Sequence, residues 1–175
     1  MITTQEWGAA PPRATFSRRG RLREVIVHHT AFATSGIDGT SFESEARHMR
    51  AIQRWHFDRG FITIGYHFVI SPSGRVFAGR PVNALGAHTK GYNTGSVGIC
   101  LMGNFQLEHP TRAALEALLD TRIEIVPGGA SVPLKGHREH PGHASTACPG
   151  RYLLARIHDG GRLAAAPVDP SDQSG

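Results

Sequence analysis

The sequence has few cysteines and no long apolar run. Only Cys100 and Cys148 are present among its 175 residues. The two could pair in principle, but Cys100 lies in the apolar run 96–103, where a buried free thiol is the more common state. Nothing in this pattern requires an oxidising compartment. No apolar run is long enough to span a bilayer, so no membrane contact is expected.

Aromatic residues are scarce around the positive charges. The formal net charge is +5 and the sequence pI about 9.9, which favours polyanionic partners such as nucleic acid, anionic lipid or an anionic cell wall. The one short basic cluster, residues 18–23, has no aromatic residue between its arginines. Nucleic-acid binding is therefore not expected, and a solvated basic surface remains the alternative.

The length suits one domain with its own core. We expect residues 1–23 to form an N-terminal arm that Trp7 anchors, and residues 24–159 to form the folded domain. Residues 160–175 are rich in Gly, Ala, Pro, Asp and Ser and are expected to form a flexible tail. No internal repeat is present, and strands and helices mix without strict alternation. This predicts an α/β domain with a central mixed sheet flanked by about three helices.

Caps and apolar spacing predict the helices. Thr40, followed three places later by Glu43, resembles a capping box. The apolar residues that follow at helical spacing predict one helix to about residue 57; they are Phe42, Ala46, Met49, Ile52 and Trp55. Thr111 is expected to cap a second helix. Pro149 suits the first turn of a third helix. Cys148 would then lie at a helix N-terminus, where the dipole favours the thiolate.

A strand is expected just before the His28-His29 pair. The β-branched run 25–27 predicts that strand. Successive strand residues point to opposite faces, so one histidine can face a cleft while the other packs or bonds beneath it. Further strands are predicted over residues 61–70, with Tyr66 near the centre, and over residues 75–80, 96–102 and 132–135.

The loop of residues 136–150 is the most informative stretch. It places His137 and Cys148 at its two ends, and imidazole nitrogen and thiolate sulfur are ligands that zinc prefers. A third ligand must come from elsewhere, and the His28-His29 pair is the best candidate. Three protein ligands leave one position for water, which is the arrangement of a catalytic zinc site. A polar surface turn with incidental histidines is the alternative.

Seven short motifs occur in an order that resembles one family. They are Val27-His28-His29-Thr30, Gly65-Tyr66-His67-Phe68, Gly86-Ala87-His88-Thr89-Lys90-Gly91-Tyr92-Asn93, Ser96-Val97-Gly98-Ile99, Gly103-Asn104-Phe105, Gly136-His137-Arg138 and Ala147-Cys148-Pro149-Gly150. Together they resemble the zinc-dependent N-acetylmuramoyl-L-alanine amidases of the phage T7 lysozyme and peptidoglycan recognition protein family. The resemblance covers roughly residues 5 to 158. Each motif alone is weak, but the ordered set is specific.

The resemblance implies a metal site and a reaction. It implies that His28, His137 and Cys148 hold Zn²⁺, and that the amide between the lactyl group of N-acetylmuramic acid and L-alanine of the stem peptide is hydrolysed. Zinc-bound water has a pKa of roughly 7, which suits this chemistry. Tyr66 resembles the family's catalytic tyrosine, which would orient water or donate to the oxyanion. Its alternative role is that of a core residue.

Two departures from the phage T7 branch stand out. The loop between His137 and Cys148 is longer and adds His140 and His143, either of which could compete for the metal. Thr146 stands where that branch has a catalytic lysine, as in the recognition-protein branch. Threonine can orient or hydrogen-bond a reacting group, but it cannot stabilise an oxyanion by full charge. The resemblance thus assigns Thr146 a catalytic position with a weakened role.

Four further residues lie in motifs beside the ligands. Thr30, His67, His88 and Asn93 are predicted to line a groove for the muramyl peptide, donating hydrogen bonds to its carbonyls and carboxylates. The alternative is that they support the ligand imidazoles, as metal sites also require.

Other functions and the site of action follow from the same residues. A non-catalytic module that binds bacterial peptidoglycan is one alternative. A thiol hydrolase that uses Cys148 with a histidine is another. Residues 1–7 lack a basic region followed by an apolar one, so no secretory signal is predicted. We expect a monomeric phage or prophage endolysin, made in the cytoplasm, that reaches the wall through a lesion made by a partner.

Overall fold

The structure is a computed structural model that describes residues 1–159; the predicted tail of residues 160–175 lies outside the described range. A five-stranded mixed sheet forms its centre, with strand order β3-β2-β4-β1-β5. β1 is parallel to both β4 and β5, and β2 is parallel to β4 but antiparallel to β3. The strands are β1 Glu24–His29, β2 Phe68–Ile70, β3 Val76–Ala78, β4 Ser96–Leu101 and β5 Leu134–Gly136.

Three α-helices cover the two faces of the sheet, which confirms the predicted α/β architecture. They are α1 Phe42–Asp58, α2 Arg112–Asp120 and α3 Arg151–His158. Met49 and Ile52 of α1 pack on one face, while Leu118 of α2 and Leu153 of α3 pack on the other. None of the helices within residues 1–159 is long and apolar enough to cross a membrane.

Alternation along the strands builds two cores. Ile99 of β4 lies in the core beneath α2 and α3, whereas the next residue, Cys100, lies in the core beneath α1. The same alternation on β1 sends Val25 and Val27 to the α2 and α3 side. All of these side chains are fully buried. β1 therefore presents alternate residues to opposite faces of the sheet, right up to its C-terminal end.

The predicted N-cap is correct for α2 but not for α1. Thr111 caps α2 as expected, since its side chain accepts a hydrogen bond from the Ala114 amide. At α1 the predicted cap, Thr40, is wrong by one residue. Its hydroxyl donates instead to the carboxylate of Asp38 at 2.7 Å, and Ser41 caps the helix. Either hydroxyl could cap the helix, but the hydrogen bond to Asp38 engages Thr40 and leaves Ser41 as the cap.

The apolar residues whose spacing predicts α1 are not all buried. Ala46, Met49 and Ile52 are buried, whereas Phe42 is 37% and Trp55 43% exposed. Trp55 falls near the end of α1 and lines a cleft.

Tyr66 does not lie at the centre of a strand. The predicted strand 61–70 is regular only from Phe68, and Tyr66 precedes it in an irregular segment. A Cβ on Gly65 would lie 2.3 Å from the Ala87 carbonyl oxygen, so a neighbouring loop crosses the chain there. The Tyr66 backbone is nevertheless fixed, because its carbonyl accepts a hydrogen bond from the Arg80 amide at 2.9 Å.

The start of α3 also differs from the prediction. The helix begins at Arg151, and Pro149, joined to Cys148 by a cis peptide bond, lies before it. Gly150 has φ +91°, and a Cβ there would lie 2.3 Å from the backbone of Phe105. The chain must pass over Phe105 before the helix can begin, so Cys148 lies outside its first turn.

The N-terminal segment lies against the sheet. Trp7 is 1% exposed, and its indole N–H donates to the Ala78 carbonyl of β3 at 2.8 Å. Ile2 forms an isolated bridge with Phe77, and Arg18 forms one with Ala84.

Candidate metal centre and active-site cleft

The end of β1 separates the two adjacent histidines. His29 shares the face of Val25 and Val27, and its Nδ1 accepts a hydrogen bond from the Phe105 amide at 3.2 Å. His28 points to the opposite face and is 1% exposed. The two residues therefore have different partners, although they are neighbours in the sequence.

His28, His137 and Cys148 come together in space. Each offers one ligand atom, and the three atoms lie within 4.8 Å of one another. Within residues 1–159 this is the one group of three or more His, Cys, Asp or Glu side chains placed to hold a metal ion. His137 follows β5 directly, and β5 is the parallel neighbour of β1. Parallel neighbours end at the same edge, so both histidines reach the same site.

The spacing of the donor atoms fits zinc. The Cys148 Sγ lies 3.6 Å from His28 Nδ1. Usual zinc–nitrogen and zinc–sulfur bond lengths at a tetrahedral angle place the two donors about 3.6 Å apart. The other ring nitrogen of His28, Nε2, lies 3.1 Å from Nδ1 of His88. His28 therefore directs Nδ1 toward the Cys148 thiol, while its Nε2 contacts the His88 ring.

Burial sets the protonation state of the two candidate ligand imidazoles. It lowers the pKa of His28 well below its usual value, and nearby His88 and His137 add to the effect. Burial also lowers the pKa of His137 to about 4. Both rings are thus neutral at neutral pH, with a lone pair available for a metal ion.

The thiol behaves opposite to the sequence-based expectation. A helix dipole was predicted to favour the Cys148 thiolate, but burial raises the pKa of Cys148 to about 12. The reason is structural, because α3 begins only at Arg151. Without a cation the thiol is protonated, and a bound metal ion is the charge that would stabilise the thiolate.

Tyr66 lies beside the three ligand side chains. Its ring centroid is 5.1 Å from that of His28 and 5.5 Å from that of His56. Burial raises the pKa of Tyr66 well above its usual value, and the Cys100 and Cys148 thiols contribute to the shift. The phenol therefore stays protonated across the neutral range and can act as a hydrogen-bond donor.

These groups open into a cleft of about 380 Å³. Its polar end contains the three ligand side chains together with Tyr66, His88, Thr30 and Thr146. Its other wall is largely aromatic and contains Phe32, Trp55 and Phe61. The Arg59 guanidinium lies 4.6 Å above the Trp55 ring, which adds a cation to that wall.

The aromatic wall was missed from the sequence. Trp55 was used only as one of the residues whose spacing predicts α1, and Phe32 and Arg59 were not singled out. Phe32 is 50% exposed and meets Trp55 edge to face, with ring centroids 6.5 Å apart. The one indication of this wall in the sequence was that the apolar spacing of α1 continues to a tryptophan near the end of the helix.

Of the four predicted groove residues, the structure brings two to the cleft. Thr30 and His88 line it, whereas His67 and Asn93 do not. His67 is fully buried: Nδ1 accepts from the Gly98 amide at 2.9 Å, and Nε2 bonds the Ala84 carbonyl at 3.0 Å.

Asn93 and His88 are linked through the backbone. The Asn93 Oδ1 accepts from the amides of His88 and Thr89, each at 2.9 Å. A Cβ on Gly98 would lie 2.5 Å from the His88 ring, so this glycine leaves the space that the ring occupies. Asn93 thus fixes the loop that holds His88 behind His28.

Thr146 also lines the cleft. Its Oγ1 accepts a hydrogen bond from the Cys148 amide at 3.2 Å. Because the oxygen acts as the acceptor in that contact, its own proton remains free to be donated to a group in the cleft.

Neither added histidine of the long loop is part of the ligand group. His143 Nδ1 lies 3.0 Å from Nε2 of His137, and His143 Nε2 lies 3.0 Å from the Lys90 carbonyl. His140 Nδ1 bonds the His137 carbonyl at 3.2 Å, and its Nε2 lies 3.2 Å from Glu24. Both rings contact His137.

Comparisons with known proteins point to one family. The Amidase_2 family model, described as N-acetylmuramoyl-L-alanine amidase, matches residues 18–151. The N-acetylmuramoyl-L-alanine amidase of Homo sapiens is 38% identical over 158 residues, which cover 85% of this chain but only 26% of that protein. The chain thus spans about a quarter of the length of that relative. The endolysin of Klebsiella phage KP32 is 32% identical over 142 residues, covering 78% of this chain and 86% of that protein.

A solved structure shows the same fold. Peptidoglycan recognition protein-LE, crystallised in complex with tracheal cytotoxin, a monomeric diaminopimelic acid-type peptidoglycan, superposes with a TM-score of 0.82. The two chains are 29% identical, and the match covers 91% of this chain and 92% of that one. The family model spans most of the chain and the relatives exceed 30% identity, so this protein belongs to the N-acetylmuramoyl-L-alanine amidase (Amidase_2) family.

Proposed function

We propose that this protein is a zinc-dependent peptidoglycan hydrolase that cleaves the amide between N-acetylmuramic acid and L-alanine of the stem peptide. The observation that carries the proposal is the convergence of His28, His137 and Cys148 within 4.8 Å on the wall of a cleft. Two neutral imidazoles and one thiol make a three-ligand set, which leaves a coordination position for water or substrate.

Each residue of the site has a defined task. Bound zinc would supply a hydroxide near neutral pH and polarise the scissile carbonyl. Tyr66 donates a hydrogen bond from its phenolic O–H to the oxygen that becomes negative in the transition state. The backbone hydrogen bonds around Tyr66 hold it in place, so little reorganisation is needed. Thr146 donates a hydrogen bond from its hydroxyl to a neighbouring oxygen and contributes no charge.

The shape of the cleft suits a muramyl peptide. Such a substrate combines sugar and methyl faces with peptide carbonyls and carboxylates. The aromatic wall of Phe32 and Trp55 offers apolar contact, while Arg59 offers a cation for a carboxylate. Thr30 and His88 supply polar groups near the ligands.

Mass spectrometry of digested peptidoglycan tests the reaction. The purified protein should release intact stem peptides that begin with L-alanine and leave glycan strands with free lactyl carboxylates. A Cys148→Ser variant is the matched control and should release neither product. Fragments cut within the glycan or within the stem peptide would contradict the assigned bond.

A second candidate function is recognition of peptidoglycan without cleavage. The specific observation in its favour is that the solved neighbour with a TM-score of 0.82 was crystallised with a peptidoglycan fragment. A recognition module would bind a soluble muramyl peptide and return it unchanged after prolonged incubation with zinc. Complete conversion under those conditions excludes this alternative.

A thiol hydrolase is disfavoured by the electrostatics of the site. A nucleophilic cysteine needs a lowered pKa, whereas burial raises that of Cys148 to about 12. Chelator treatment separates the two mechanisms, because a thiol enzyme should survive removal of metal and the proposed enzyme should not.

We also propose that the protein acts as an endolysin. The supporting observation is the match to the Klebsiella phage KP32 endolysin over 86% of that protein. Co-expression with a membrane-permeabilising partner should lyse a susceptible host. Intact cells across a panel of hosts, despite soluble active enzyme, would contradict this role.

A further inference from the structure

His143 forms a hydrogen-bonded link between a ligand and the opposite loop. Its Nδ1 lies 3.0 Å from His137 Nε2, and its Nε2 lies 3.0 Å from the Lys90 carbonyl oxygen. The two imidazole rings are 4.8 Å apart and tilted by 42°. The link therefore runs from the loop before α3, through one ring, to a backbone group on the loop of residues 81–95.

The Lys90 carbonyl at one end determines the direction of the hydrogen bonds that run through the two rings. The Lys90 oxygen can only accept, so His143 Nε2 must carry the proton and donate it. When the single N–H of the His143 imidazole is on Nε2, its Nδ1 is bare and accepts from His137 Nε2. His137 Nε2 then carries the N–H of that ring, which leaves His137 Nδ1 bare. Of the two ring nitrogens, Nδ1 is thus the one able to bind a metal ion.

We propose that His143 is a positioning residue that selects the tautomer and fixes the ring orientation of His137 for metal binding. This inference rests on the proposed zinc site. Ligand histidines in zinc proteins are commonly held in this way through the nitrogen that does not face the metal. Here the supporting group belongs to the long loop, whose extra histidines looked from the sequence like competing ligands.

The other ligand histidine provides an internal comparison. His28 Nε2 also meets an imidazole, Nδ1 of His88, at 3.1 Å. The far nitrogen of that ring, His88 Nε2, is buried and has no hydrogen-bond partner. The Thr89 hydroxyl lies 3.2 Å from His88 Nδ1 and can either donate or accept, so it leaves the tautomer of His88 open, whereas the Lys90 carbonyl determines that of His143. The tautomer of His137 is therefore more strictly determined than that of His28.

The loop also holds His137 from its backbone. His140 Nδ1 bonds the His137 carbonyl at 3.2 Å, and the Tyr92 ring packs against His140 with centroids 4.6 Å apart. Tyr92 and Lys90 both lie on the loop that carries His88. The Tyr92 ring also lies against the His143 ring, with centroids 6.0 Å apart. Three contacts thus connect the loop of His137 to the loop that supports His28, and the hydrogen bond from His143 to Lys90 is the one that continues to the His137 ring.

Three substitutions of His143 separate its two contacts. Asparagine places its Oδ1 where Nδ1 stands, so His143→Asn keeps the acceptor for His137 but loses the donor to Lys90. His143→Gln has the opposite effect, since its amide can reach Lys90 but leaves no acceptor at the Nδ1 position. His143→Ala loses both contacts. Ser145→Ala, at an exposed position of the same loop, is the matched control.

The readout is the zinc dissociation constant, measured at one pH by competition with a chromogenic chelator. His143→Ala and His143→Gln should bind zinc about 10–100-fold more weakly than wild type. His143→Asn and Ser145→Ala should stay close to wild type. The Co²⁺-substituted protein should show altered absorption bands for His143→Gln and unaltered bands for His143→Asn.

The outcomes are distinguishable from failure of the proposed function. If the wild type does not bind one zinc, the proposed metal site itself is wrong. If wild type binds zinc tightly and His143→Gln binds it equally well, the positioning role is wrong. Rescue by glutamine but not by asparagine would assign His143 to tethering the loop instead. Thermal unfolding identifies any misfolded variant, and the comparison of asparagine with glutamine then decides.

Discussion

The Cys148 thiol determines how the proposed zinc site would take up a metal ion. Burial raises its pKa to about 12, and burial lowers the pKa values of His28 and His137. Between pH 6 and 7 the apoprotein therefore holds a proton on sulfur, while each of the two imidazoles is neutral, with one N–H and one bare nitrogen. We predict that binding one zinc ion at pH 6 releases about one proton, because the thiol must ionise while zinc-bound water, with a pKa of roughly 7, largely keeps its proton.

Calorimetry in buffers of different ionisation enthalpy measures this proton. Release of none would mean that the thiolate already exists in the apoprotein, as a helix dipole would favour. Release of two or more would mean that the ligand histidines are protonated before the metal binds.

Tyr66 provides the second prediction at the residue scale. The Tyr66→Phe variant removes only a hydroxyl and leaves the ring in contact with His28, so it should fold and keep its zinc. Loss of one oxyanion donor lowers kcat by roughly 10²–10³-fold. KM should change little, as expected for an interaction made mainly in the transition state.

Steady-state kinetics on a soluble muramyl peptide provides the measurement for Tyr66. Activity of the Tyr66→Phe variant within about twofold of wild type would show that Tyr66 is structural.

Individual site residues were predictable to different degrees. The motifs identified His28, His137 and Cys148, which the structure brings together. They also suggested His67 for the groove, but its ring is enclosed and both its nitrogens are bonded. A motif shows that residues are near one another in the chain. It does not show whether a side chain faces solvent, since that depends on distant backbone groups such as the Gly98 amide.

At the scale of the element, β1 separates its two histidines by alternation. His29→Ala should keep the bound zinc, since His29 faces the side of Phe105. It should lower the free energy of unfolding by about 1–3 kcal/mol, because a buried amide is left without an acceptor. His28→Ala is the paired variant and should lose the metal.

Elemental analysis and urea unfolding of both variants test this assignment. Zinc loss in His29→Ala, with zinc retained in His28→Ala, would exchange the roles of the two residues.

The sequence predicted which helices and strands exist better than it predicted the residues at which they begin and end. Thr40 and Ser41 both suit a cap, and the Asp38 carboxylate, which holds the Thr40 hydroxyl, decides between them. The strand predicted over residues 61–70 begins only at Phe68, because a loop crosses the chain at Gly65. Apolar residues occur both before and after Phe68, so composition does not mark the start of this strand. Such ends depend on contacts between distant parts of the chain, which local periodicity does not encode.

On the scale of the whole molecule, buried histidines make the apoprotein sensitive to acid. Burial lowers the pKa values of His29, His56 and His67 to about 4. In the unfolded chain these groups bind protons near pH 6.5. Below that pH the unfolded state binds more protons than the folded state, so stability falls as the pH is lowered from about 6.5 to about 4.

The change in the free energy of unfolding with pH has an upper bound. Each such histidine contributes up to about 1.4 kcal/mol per pH unit within this window. Urea unfolding of the apoprotein at pH 7, 6, 5 and 4 should show a progressive loss. A constant free energy of unfolding across these values would contradict the burial of the neutral rings.

The overall topology lay beyond local sequence patterns. Alternation of side chains predicts which residues of β1 share a face, but not that β1 lies between β4 and β5. That placement is what brings His28 to His137, since parallel neighbours end at one edge. The family resemblance supplied this information, because the order of its motifs follows the order of elements in a known fold. The aromatic wall of Phe32 and Trp55 lay outside those motifs and was missed.

The most direct test of the zinc-dependent mechanism is a metal titration of the apoenzyme. Zinc is removed with a chelator and returned stepwise while release of L-alanine-terminated stem peptides is followed. We predict no release without metal, a linear rise with added zinc, and a plateau at one equivalent per chain. Cys148→Ser should give no rise at one equivalent. An apoenzyme that cleaves peptidoglycan as fast as the reconstituted protein would contradict the mechanism.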